Sequence, residues 1–155
     1  MPPLAFGFIR ALHDVASVVW TGGLITLGLV VVPSARTALG KSPQTRAVLD
    51  AIQKRLTTIV YPSMLVVVVT GLLEARHSPA FRGLFSFANT YSAVLATKHI
   101  LVALMLAIGL YRSLMLVRRQ VPPASDRLKM SLLYANMFLA VCVLILSGAN
   151  AAAGH

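Results

Sequence analysis

The chain has 155 residues, 57% of them apolar and only 12% charged, with a mean hydropathy of +0.80. A soluble domain is about half apolar and about a quarter charged, so these few charged groups cannot clothe a surface that faces water, and lipid is the solvent expected. The formal net charge of +10 invites a nucleic-acid reading, but the basic residues fall in short connections without interleaved aromatics, which argues against that partner.

Crossing a bilayer as a helix takes about 20 residues. Four stretches are long enough, residues 8–33, 56–73, 91–116 and 130–150, and together they make one domain over 1–155. The first follows Pro2 and Pro3 and is expected to stop at Pro33. Its Gly22, Gly23 and Gly28 let another helix come close, since small residues replace the hydrophobic drive in lipid. Ser42 followed by Pro43 is a helix-start signal, and Ala47, Val48, Ile52 and Leu56 recur at helical spacing. That segment either lies on the membrane or extends the second span inward. The second span holds Pro62, an expected kink, and ends near Glu74. Phe81, Phe85, Phe87 and Tyr91 suit the aromatic belt at the membrane surface. Pro122 and Pro123 break the chain before the fourth span, which Ser125 or Asp126 can cap.

Short connections imply an all-α, antiparallel four-helix membrane bundle. Arg36, Lys41, Arg46, Lys54, Arg55, Arg118, Arg119, Arg127 and Lys129 lie on one side, against Arg10, Arg76 and Arg82 on the other. This positive-inside bias puts both termini on the outer, periplasmic side of a bacterial inner membrane.

Chemistry concentrates near the outer ends of the spans. His13 lies 23 residues before Arg36, His99 lies 19 before Arg118, and His77 lies 22 beyond Arg55. At about 1.5 Å per residue these levels agree within roughly 6 Å. A neutral imidazole in a helical bundle ligates heme iron or copper, whereas an isolated one more often bonds a backbone carbonyl. Lys98 sits inside the third span, with Asp14 as its natural partner. Its bland alternative is a long stem reaching the headgroups. Trp20, seven residues after His13, falls on the same stripe as a pocket floor or as plain packing. Arg112, about four turns below Lys98, is expected to snorkel to the inner surface. Asn136 suits an interhelical hydrogen bond. The methionines are scattered as in an ordinary core, and Cys142 stands alone, so no disulfide forms within the chain.

The stretch HDVASVVWTGG, His13 to Gly23, resembles the opening of the CopD-type copper-resistance membrane domain. KRLTTIVYPSMLVVVVTG, Lys54 to Gly71, is similar to that family's second helix and to HemJ-type protoporphyrinogen oxidases. Tyr91 followed by Lys98 looks like the third helix of both. The resemblance covers the first three spans, and the fourth matches only in hydrophobicity. The HemJ-type likeness implies a heme b held by His13 with Lys98 essential, although the chain reads VVVPSAR where those proteins carry an arginine and a later tyrosine-histidine. The CopD-type likeness implies copper passage or periplasmic copper handling.

Three functional expectations follow. The first is a redox protein binding heme b, with His13 as one axial ligand and His99 or His77 as the second. Lys98 would then pair with a propionate or Asp14, Trp20 would sit beneath, and the chemistry would be electron transfer or porphyrin oxidation, with His13 and Lys98 the catalytic pair. A membrane or periplasmic redox partner belongs to that reading. The second is a copper transporter or copper-resistance protein using His13, His77, His99 and Met105. The third is a cofactor-free subunit of a larger complex or a homo-oligomer. Imidazole suits iron and copper alike, so composition and spacing leave the metal open.

Overall fold

In a computed structural model every regular element is helical. The structure describes residues 2–78, 83, 85–88, 90–117 and 124–153. The elements are α1 (Pro3–Thr26), a five-residue π turn (Leu27–Val31), α2 (Val32–Leu39), α3 (Pro43–His77), α4 (Thr90–Val117) and α5 (Ala124–Ala153). Among the described residues, four rods are long and apolar enough to span a bilayer: Pro3–Leu39, Pro43–His77, Thr90–Leu114 and Arg127–Ala149, each with mean hydropathy of 2.0 or more. This is a multi-pass membrane protein. Large side chains such as Leu4, Phe8, Val18, Ile59, Leu65, Phe138 and Ile145 point outward, which is costly in water and favourable against lipid tails.

The first span does not stop at Pro33. Val32 N–H bonds Leu27 O, five residues back, so the ladder has already widened where proline's missing N–H falls, and the chain continues helical to Leu39. Gly40 then closes α2 with φ at +64°, a left-handed conformation that favours glycine. The expected start at Ser42 is present: its side chain accepts from Thr45 N–H at 3.2 Å, with Pro43 in the first helical turn. The Thr45 hydroxyl donates to Gly40 O at 2.8 Å and ties the turn to the incoming helix. Of the two expectations for this segment, continuity with the second span is the one realised. α3 runs unbroken over 35 residues, through Pro62, about 50 Å at 1.5 Å per residue. The segment with Phe81, Arg82 and Arg118–Pro123 lies outside the described residues, and so do the side chains of Ser125 and Asp126.

Hydroxyls on the apolar helices bond their own backbone. Thr21 donates to Ser17 O, Thr57 to Gln53 O, Thr97 to Ala93 O and Ser147 to Val143 O, all within 2.9 Å. Each is thereby satisfied without a partner helix, as a membrane interior requires. α1 packs chiefly on α3 and α4 on α5, while α1 meets α5 less closely and α3 touches α4 least. The molecule is therefore two helix pairs set against each other, and its polar cavities lie along the seam. Of the three glycines, Gly23 faces Val60 of α3 and Gly28 faces Met137 of α5, whereas Gly22 faces open space.

Candidate functional site

The larger cavity, about 640 Å³, lies toward the end where α1 and α4 begin and α3 and α5 end. That is the size of an ordinary small-ligand pocket. All four rods line it. α1 contributes Arg10, His13, Asp14 and Trp20; α3 contributes Val67, Glu74 and His77; α4 contributes Tyr91, Lys98 and Met105; α5 contributes Val143 and Ser147. Trp20, only 2% exposed, and Met105, only 1% exposed, are its deepest large side chains.

His13 is the best-defined group here. Its Nδ1 lies 2.9 Å from the hydroxyl oxygen of Thr70, and that hydroxyl lies 2.6 Å from Val66 O. Two oxygens that close need a proton between them, and the hydroxyl carries the only one. Thr70 therefore accepts from His13 Nδ1–H, and Nε2 keeps its lone pair. Metal-binding imidazoles are commonly fixed in this way through the opposite nitrogen. The ring lies over Gly71: a Cβ added there would fall 3.2 Å from His13 Cε1. A bare backbone lets the imidazole seat between α1 and α3.

Lys98 is half-buried and lines the same cavity as Asp14, the partner expected from the sequence, and Glu74. One carboxylate oxygen of Glu74 is buried with no hydrogen-bond partner. Two cations, Arg10 and Lys98, face two carboxylates, Asp14 and Glu74, so with a neutral His13 the pocket is close to electrically balanced. His77 is exposed at the rim, its ring 4.6 Å from that of Phe6.

His99 stands apart. Its Nδ1–H donates to Leu95 O at 2.7 Å, one turn back on its own helix, and it is not among the residues lining the cavity. Adjacent residues on an α-helix diverge by about 100°, so turning Lys98 inward sends His99 elsewhere. The His13–His99 axial pair expected for heme b is not brought together. Among the described residues, no group of three or more His, Cys, Asp or Glu converges as a metal centre.

A smaller cavity lies beyond Trp20, which lines both. Arg112 opens into it and is only 8% exposed, so the expected snorkel to the surface is not what it does. Tyr61 lines the same cavity, and its hydroxyl donates to Gly109 O at 3.4 Å. Asn136, 1% exposed, lines this cavity too, and its side-chain oxygen has no hydrogen-bond partner. Sequence reasoning passed over Arg112, Glu74 and Thr70.

A profile described as copper resistance protein D matches residues 50–150 of the chain. The chain belongs to that family. The match runs from α3 to the end of the fourth span, so this copper resistance protein D relationship includes the helix that resembled the family only in hydrophobicity. It leaves out α1, where His13 lies. No curated protein and no solved structure matches the chain.

Proposed function

We propose that this protein handles copper, taking Cu(I) as cargo into the outer cavity at His13. The observation that carries the reading is the bond from His13 Nδ1–H to Thr70, which favours Nε2 as the donor nitrogen in a pocket that also contains Met105. Imidazole and thioether together suit Cu(I), the softest of the ions the sequence left open. Family membership supports copper over heme b, electron transfer and porphyrin oxidation, and the absence of His99 from the lining of the His13 cavity weighs in the same direction.

His13 serves as the nitrogen donor and Met105 as the sulfur donor on the opposite wall. Asp14 and Glu74 draw the cation in, and Lys98 with Arg10 balances them while no metal is bound. His77 at the rim, stacked beside Phe6, is the residue an entering ion meets first. Cargo must leave as well as arrive, so a site of few ligands suits passage. The charge bias of the connections supports a periplasmic mouth.

The test is a Cu(I) titration of detergent-purified protein against a chromophoric chelator under reducing conditions. Wild type is expected to compete stoichiometrically, His13→Ala to lose more than about a hundredfold in affinity, and Met105→Leu at least about tenfold. Equal affinity in wild type and both variants would sink the reading.

A further inference from the structure

We infer that the inner cavity, beyond Trp20, is a binding site for one small inorganic anion, of the size of chloride or bromide, held by Arg112. The guanidinium is permanently charged, because its pKa lies too high for burial to remove the proton. Only 8% of this side chain is exposed, and its Nε–H has no hydrogen-bond partner. Neither Asp nor Glu is among the residues lining the cavity.

The other polar groups there leave the same need unmet. Trp20 Nε1–H can only donate, and it too is buried without a partner. Asn136 is 1% exposed, and its amide carries two N–H donors beside an oxygen that has no hydrogen-bond partner. Gln53, also buried, adds a second amide. The hydroxyls of Thr57 and Tyr61, which donate to Gln53 O and Gly109 O, keep lone pairs that can accept but carry no negative charge to offset the guanidinium. What remains is a space with unpaired N–H donors and one fixed positive charge that no carboxylate in its lining offsets.

Size narrows the ligand. The cavity holds about 70 Å³ of water-sized space, and one water needs roughly 10–15 Å³ by the same measure. That admits a monatomic anion with a few waters, and it is cramped for a phospholipid headgroup. A water cluster alone would satisfy the hydrogen bonds but leave the buried charge uncompensated. The inference does not depend on copper.

Trp20 is the only tryptophan in the chain, and it walls this cavity, so its fluorescence reports on the site. Bromide, a heavy-atom quencher, is titrated into copper-free, detergent-purified full-length protein at constant ionic strength. Wild type is expected to show a saturable quenching component that chloride competes away. Arg112→Met is expected to abolish that component while keeping the emission maximum, and Arg112→Lys to retain it more weakly. Should Arg112→Met misfold, Asn136→Leu gives an independent reading, with saturation shifted to at least about fivefold higher bromide. Purely linear quenching, the same in wild type and Arg112→Lys, would overturn the inference. So would suppression of the saturable component by stoichiometric anionic phospholipid, which would make the ligand a lipid phosphate.

Discussion

Thr70 has one proton to donate and Val66 O takes it at 2.6 Å, so the hydroxyl can only accept from His13. The tautomer of a potential metal ligand is thus set by a residue on another helix. Thr70→Val keeps the shape and removes the acceptor, freeing Nδ1 to exchange roles with Nε2. Cu(I) affinity should fall by about 10–100-fold, the usual effect of losing the group behind a ligand, while Thr70→Ser stays near wild type. Chelator competition on the two variants checks this, and identical affinities would mean that the hydroxyl does not orient the ring. Single-sequence reasoning found His13 because an ionisable group in a lipid-spanning helix is conspicuous. It missed Thr70 because a threonine in an apolar helix ordinarily satisfies itself at i−4, as Thr21, Thr57 and Thr97 do.

Along each rod cavity-lining residues recur at intervals of seven: His13 and Trp20 on α1 with Leu27 at the start of the π turn; Val60, Val67 and Glu74 on α3; Lys98, Met105 and Arg112 on α4; Asn136 and Val143 on α5. Seven residues make about two turns, so each set forms one stripe facing the seam. The stripe that placed Trp20 beneath His13 would also have placed Arg112 beneath Lys98, had the arginine not been assigned to the inner surface on stem length alone. His99 lies off the stripe for the same geometric reason in reverse, since only one of two neighbouring residues can occupy it. Boundaries were less legible. Pro33 reads as a stop, but the π turn before it absorbs the missing N–H and carries the rod on to Leu39. That turn also brings Gly28 against α5, where an added Cβ would fall 3.0 Å from Met137 Sδ. Gly28→Leu should therefore destabilise the bundle by about 1–3 kcal/mol through overpacking, and Met137→Ala should restore part of the loss. Thermal unfolding of the single and double variants in detergent measures the coupling; strictly additive effects would show that the two residues do not press on each other.

At the scale of the molecule, two helix pairs enclose a larger cavity lined by two basic side chains and two carboxylates and a smaller one lined by Arg112 without a carboxylate, and Trp20 lines both. The membrane character and the four spans were plain from composition, because lipid leaves a chain few other structures. How the helices turn about their axes was not, since every face of an apolar helix is hydrophobic and periodicity carries little signal. Rotation decides which histidine lines the pocket. The proposal that copper is bound at His13 meets its most direct test in the copper K-edge absorption spectrum of Cu(I)-loaded protein in detergent. The account predicts imidazole multiple scattering together with a sulfur shell, the first lost in His13→Ala and the second in Met105→Leu. A spectrum that neither substitution alters would contradict it.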